Sequence, residues 1–369
     1  MLVSDFDYNL PQELIAKEPL PNRAAARMLH FKRGEEGLSD RVFGEFPDLL
    51  HPDDLLVVNN TQVLPARLFG HRSGSRAQPV SPSNPAAREY LRGKVEVLLT
   101  KQLSCSPNEW EALVHPGRKL GLGEHIFLGR EATEQSHELV AEVIGRGEFG
   151  ERRLRFEQVD NFFSILNRIG HVPLPPYIDR SDTPLDREQY QTVYARSPGS
   201  VAAPTAGLHF TPEILGQISQ RSIETVEITL HVGLGTFQPV RVQIVEEHKI
   251  HREWYSISRE AAESIQRARD AGRRIVAVGT TTVRTLEFAA LRASDGRITA
   301  QSGEADLFIY PGFEFRVIGA LLTNFHLPKS TLIMLVAAFA GRERVLAAYE
   351  HAVRERYRFY SYGDCMFVE

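Results

Sequence analysis

Three histidines stand in settings where an imidazole can do chemistry. His209 lies in residues 199–211 (GSVAAPTAGLHFT), His231 in residues 229–240 (TLHVGLGTFQPV) and His326 in residues 323–331 (TNFHLPKST). Stretches so rich in Gly, Ala, Thr and Pro bury little apolar area per residue and make poor core. They suit places where backbone approaches a ligand closely and where φ can be positive. An imidazole titrates near neutral pH and so carries protons there, or else serves as a hydrogen-bonded structural group. The three segments are expected to meet in one active site, with His209, His231 and His326 as its proton carriers.

Residues 278–285 (VGTTTVRT) read as a strand running into a helix N-terminus. Free N–H groups, the hydroxyls of Thr280, Thr281 and Thr282, and Arg284 one turn along make an anion site for a phosphate or carboxylate. Capping of the helix accounts for the same residues equally well. This is not a Walker A loop, and Gly233-Leu234-Gly235 is too short to claim a dinucleotide. No GxSxG and no Cys-His arrangement suggests acyl transfer. His248 and His251, with Glu246, Glu247 and Glu253 nearby, resemble a metal cluster, but they are not HExxH and lack a third ligand. No metal is assigned there. Phe210, Phe237, Tyr177 and Tyr310 adjoin these motifs, where rings either stack on a base or fill core.

These residues need elements to hold them. After about residue 159 strands and helices alternate, which predicts an α/β domain. A helix is expected over 159–169, stopped by Gly170, and residues 171–177 (HVPLPPY) form a stiff linker. Further helices are expected at 212–218, 259–271, 332–340 and 342–358, with Thr211 and Ser258 as caps. Strands are expected at 223–231, 275–278, 307–310, 320–322 and in the closing SYGDCMFV. Residues 55–58 (LLVV) read as a buried strand leading into Asn59-Asn60-Thr61, and Pro11 as a helix start.

Between about 67 and 157 the period is two, as at Val95, Val97 and Leu99 or Leu139, Ala141 and Val143, with glycines punctuating the runs. This predicts a small antiparallel β-barrel inserted in the α/β main domain. The boundaries expected are 1–65 and 158–369 for the discontinuous catalytic domain and 66–157 for the insert. Residues 73–92 (SGSRAQPVSPSNPAAREYLR) read as a mobile surface loop.

A chain of 369 residues, 42% hydrophobic and 24% charged, is globular and long enough for two domains. Its longest apolar run, residues 332–340, is too short to span a bilayer, and the N-terminus has no signal-peptide pattern. Two cysteines without a CxxC argue against a disulfide framework and fit the cytosol. With a net charge of −4, any RNA surface must be a local patch. Arg342, Arg344, Arg354, Arg356 and Arg358 form one cluster and Arg146, Arg152, Arg153 and Arg155 another, although such runs read first as solvated faces.

DFDYNLPQELIAKEPLPNRAAARML, VVNNTQVLPARL, YQTVYA, the three histidine segments, VGTTTVRTLE, LLTNFHLPKSTLIMLVAAFAG and YRFYSYGDCMFV together resemble the S-adenosylmethionine:tRNA ribosyltransferase-isomerase family from end to end. The chain departs from that pattern in a longer 73–92 stretch and in Ile250, where methionine is usual. The resemblance implies transfer and isomerisation of the ribosyl part of S-adenosylmethionine onto 7-aminomethyl-7-deazaguanine at a tRNA wobble position, giving epoxyqueuosine, adenine and methionine. It implies a cytoplasmic enzyme using S-adenosylmethionine as co-substrate and tRNA as partner, with no membrane. Gly233, Gly235, Thr236, Thr280, Thr281, Thr282 and Arg284 are then expected to bind the co-substrate. The competing readings are an S-adenosylmethionine-dependent RNA methyltransferase, a non-catalytic RNA-binding module and a metal-dependent hydrolase at His248 and His251.

Overall fold

A computed structural model describes residues 1–73, 93–129, 136–147, 150–233, 235 and 240–369. Its strands are β1 (Arg27–Phe31), β2 (Ser39–Val42), β3 (Leu55–Asn59), β4 (Thr61–Val63), β5 (Arg67–Arg72), β6 (Lys94–Cys105), β7 (Asn108–His115), β8 (His125–Leu128) and β9 (Leu139–Arg146). They continue with β10 (Arg152–Phe156), β11 (Ser197–Ser200), β12 (Glu224–Leu230), β13 (Glu253–Ile257), β14 (Ile275–Val278), β15 (Gln301–Ala305), β16 (Ala320–Asn324) and β17 (Cys365–Val368). The chain is an α/β protein carrying an inserted antiparallel barrel, as its patterning predicts.

The main sheet has nine strands in the order β15-β13-β12-β3-β14-β16-β17-β1-β2. Its centre, β12, β3, β14 and β16, is parallel, and antiparallel strands follow on both sides. The central strands read as apolar runs because both their faces are covered. One face packs with Leu286, Ile333 and Leu335, the other with Phe46, Phe210 and Ile214. The helix Pro212–Gln220 starts where Thr211 accepts from the Ile214 N–H, and Arg259–Asp270 where Ser258 accepts from Ala261.

Six strands close the barrel in the order β10-β7-β6-β5-β8-β9, all antiparallel. Alternate residues such as Leu68, Val97, Leu99, Ala112, Val143 and Leu154 fill its interior. The helix Phe162–Ile169 packs against that core through Phe162, Leu166 and Ile169, with Phe162 4.9 Å from Phe156 and 5.7 Å from Trp110.

Several local expectations change. The helix expected from 159 begins at Phe162, capped by the Asn161 side chain. Gly170 keeps a negative φ, and a Cβ there would fall 2.0 Å from the Pro65 carbonyl oxygen, so close approach to the segment that leads into the barrel requires the glycine. Pro11 opens only a 3-10 turn, Gln12–Leu14. Residues 307–310 are not a strand, because β13 already pairs with β15 along its length. The last helix, Arg342–Arg354, stops four residues early at a Schellman turn. Arg356 adopts φ 56°, and the N–H groups of Arg356 and Tyr357 return to Val353 and Ala352. Most of the 73–92 stretch lies outside the described residues.

Candidate functional site

All four parallel strands end on the same side, where residues at the ends of β12, β14 and β16 line a cavity of about 190 Å³ and β3 reaches its wall through the Asn59 bond to Thr281. That is where open α/β sheets bind ligands. β14 leads into Gly279, Thr280 and Thr281, and β16 into Phe325, His326 and Leu327. Val232 follows β12, and residues 203–206 come from the first histidine segment. Tyr177, Tyr360, Ser361 and Ser330 complete the wall. The Asn59 side chain ties the strand ends together. Its Oδ1 accepts from Leu230 and Thr61, at 3.0 and 3.2 Å, and its Nδ2 donates to the Leu230 carbonyl and to Thr281 Oγ1, at 2.9 and 3.3 Å.

Two helices begin at this cavity. Thr280–Arg292 starts at Gly279, whose φ of 87° favours glycine, and no side chain caps it. Thr331–Ala340 starts at Ser330, whose hydroxyl accepts from Ile333. Uncapped N–H groups and the helix dipole favour an anion at the first of these ends. Thr280 and Thr281 line the cavity, whereas the Thr282 hydroxyl bonds the Val278 carbonyl at 2.6 Å.

The three histidine segments come together, but the imidazoles take different places. His326 lines the cavity, and its Nε2 is hydrogen-bonded to Thr323 Oγ1 at 2.8 Å. Its backbone is clamped by Tyr349 Oη at 3.0 Å and Tyr8 Oη at 2.5 Å. His209 lines an adjoining crevice with Leu20 and Arg23 that shares Ser361 with the cavity. Its Nε2 faces the side chain of Asn324 in the cavity wall, a hydrogen-bond contact that favours the protonated ring, and neither Nε2 nor Asn324 Oδ1 has another partner. His231 is not in the wall. Its Nδ1 is hydrogen-bonded to Thr61 Oγ1 at 2.8 Å, and its ring stacks on Trp254 at 4.9 Å. The Gly199 backbone lies so close that a Cβ would fall 2.5 Å from Nε2.

Burial lowers all three imidazoles from their ordinary range, His209 and His231 to about 4 and His326 to about 3. At neutral pH they are uncharged and able to accept a proton.

Arg284 lies behind the cavity and pairs with Glu253, while its Nε donates to the Leu307 carbonyl at 3.1 Å. Glu253 also accepts from the Gly233 N–H at 2.8 Å. Gly235 abuts the His251 ring, where a Cβ would clash at 2.5 Å. Thr236 and Phe237 lie outside the described residues. Phe210 is wholly buried between Phe43 and Phe46, so it cannot stack on a base. Tyr177 does line the cavity, against Tyr360 at 4.2 Å. Tyr360 holds φ 76°, a strained value for an aromatic residue in a cavity wall.

Among the described residues no group of three or more His, Cys, Asp or Glu is placed to hold a metal ion, and no helix is long and apolar enough to cross a membrane. His248 packs on Phe308 at 5.2 Å. Several arginines of the two clusters have partners within the chain, while Arg146, Arg153 and Arg356 stay exposed. Arg152 donates to the Gly117 and Leu120 carbonyls, Arg155 pairs with Glu109, and Arg342 with Asp5.

Sequence reasoning passed over Asn324 and Ser361, and took Glu253 for part of a metal-like cluster and not for the partner of Arg284. Asn324 sits two residues before His326, but only the fold shows its side chain beside His209.

An inserted barrel on an α/β sheet, with neutral imidazoles and a helix N-terminus around a cavity at the strand ends, defines a small-molecule-binding enzyme equipped for proton transfer. A profile of the family described as Queuosine biosynthesis protein matches residues 3–368. A relative from Solibacter usitatus (strain Ellin6076), named S-adenosylmethionine:tRNA ribosyltransferase-isomerase, is 53% identical over 368 residues, covering 100% of both chains. One of the same name from Carboxydothermus hydrogenoformans is 48% identical with the same coverage. A crystal structure of S-adenosylmethionine tRNA ribosyltransferase from Thermotoga maritima matches with a TM-score of 0.54 and 36% identity, over 99% of this chain and 100% of that one. The chain belongs to the queuosine biosynthesis protein family.

Proposed function

We propose that this chain is a ribosyltransferase-isomerase that moves the ribosyl part of S-adenosylmethionine onto 7-aminomethyl-7-deazaguanine at the wobble position of tRNA. Epoxyqueuosine forms, and adenine and methionine leave. Carrying this reading is the strand-end cavity with His326 in its wall, found in a chain that matches relatives of that name along its whole length. The catalytic unit is residues 1–65 with 158–369, and 66–157 is the insert; the compartment is the cytoplasm, where tRNA is modified.

The sulfonium acidifies the adjacent C5′ hydrogens, and a neutral imidazole accepts one of those protons. The imidazolium so formed sits in a site that disfavours its charge, so it is a strong acid and gives the proton to departing adenine. His326 touches the cavity directly. His209 acts at the Ser361 border with Asn324 beside it, and His231 acts through Thr61. The attacking amine must also lose a proton, which calls for a second imidazole. The methionine carboxylate is held by Thr280, Thr281 and the helix N-terminus. Thr282 fixes the turn into that helix by donating its hydroxyl to the Val278 carbonyl. Arg284 acts through Glu253, which holds the Gly233 N–H beside the cavity.

Incubation with S-adenosylmethionine and precursor-bearing tRNA should release adenine, with methyl label only in free methionine. Methyl label in tRNA without adenine release would instead establish a methyltransferase.

A further inference from the structure

A second, open cleft of about 530 Å³ adjoins the cavity, and the two share Pro176 as a wall. It lies where β5 of the barrel meets the linker at residues 171–182. Phe69, an outward-facing position of β5, is 45% exposed there. Its ring meets His171 edge-on at 5.1 Å. Both rings are firmly mounted. Arg67 and His171 exchange backbone hydrogen bonds of 2.8 and 3.1 Å, and His171 Nδ1 is bonded to Asp182 at 2.7 Å. Neither guanidinium of the cleft is left free: Arg67 pairs with Glu96 and Arg180 with Asp186, and Asp179 and Asp182 also line it.

We infer that the Phe69–His171 pair is a stacking platform for an anticodon-loop nucleotide next to the wobble base. The inference rests on the ribosyl-transfer reading. To reach a cavity at the strand ends the target base must leave its stack, and its neighbour then loses a stacking partner. A rigid aromatic edge just outside the shared wall replaces that partner. Because both arginines beside the rings are already paired with carboxylates, the contact works through stacking and not through phosphate attraction.

Binding of a fluorescent RNA anticodon stem-loop to Phe69→Ala, Phe69→Trp and Phe69→Leu tests this, alongside S-adenosylmethionine binding by calorimetry. Phe69 is exposed on a strand, so these variants should fold. Loss of the ring should weaken RNA binding about tenfold, with an unchanged salt slope and unchanged S-adenosylmethionine affinity. Tryptophan should restore binding, and leucine should not. RNA affinity of Phe69→Ala within twofold of the wild type, or full restoration by leucine, would overturn the platform. Absence of adenine release by the wild type would overturn the ribosyl-transfer reading instead, since stem-loop binding is measured without turnover.

Discussion

Six strands close the barrel around Leu68, Val97, Leu99, Trp110 and Leu154, whereas the four parallel strands of the main sheet end in Asn59, Leu230, Val278 and Asn324 beside a cavity. Both places are walled by strands. The barrel is filled by large side chains from alternate positions, and its polar groups face outward. At the strand ends small residues leave the space open and polar groups face in, where His209 Nε2 and Asn324 Oδ1 have no partner but each other. Buried polar atoms with so few partners cost stability, and a protein retains them where function uses them. Stability is thus concentrated in one region and chemistry in the other.

Substitutions should separate the two. His326→Ala should lower the rate of adenine release by about a hundredfold to ten-thousandfold, the range for a lost general acid or base, while the fold survives. A rate within threefold of the wild type would remove His326 from the chemistry. Trp110→Ala should do the reverse, destabilising by about 3 kcal/mol in denaturant titration with S-adenosylmethionine affinity retained. Asn59→Ala belongs to both regions, since it strips partners from buried backbone groups of Leu230 and Thr61. It should cost about 1–3 kcal/mol and weaken S-adenosylmethionine binding as well.

Acid should expose the same contrast. His209 is held at about 4 when folded, against an ordinary value of 6.5, so the unfolded chain binds the extra proton first. Its contribution is therefore complete above pH 6.5 and is lost as the pH falls towards 4, by about 1.4 kcal/mol per pH unit. Thermal melts of His209→Asn between pH 7 and 4 should show a shallower decline than the wild type; parallel curves would contradict the depressed value. On the barrel's outer face, where Arg155 pairs with Glu109 and is 47% exposed, Arg155→Ala should change stability by less than about 0.5 kcal/mol.

The barrel was readable because a period of two, broken by glycines, admits few other solutions. The buried strand at residues 275–278 and its turn into a helix were readable for a similar reason: an apolar run meets hydroxyls at a glycine. Residues 307–310 misled because aromatic side chains signal burial as readily as pairing, while the true strand, QSGEA, carries little β-forming character. Arginine clusters read first as solvated faces, and of them Arg152, Arg155 and Arg342 have partners within the chain while Arg146, Arg153 and Arg356 stay exposed.

By itself the sequence determined the two architectures, the segments that gather at the strand ends and the family to which the chain belongs, since these depend on local periodicity and on long runs of residue types. Only the tertiary structure decided that His326 enters the cavity, that His209 stands in a crevice beside Asn324, that His231 lies against Trp254, and that Arg284 turns away to Glu253. Where a side chain points, and which partner reaches it, depends on strands far apart in the chain being brought side by side.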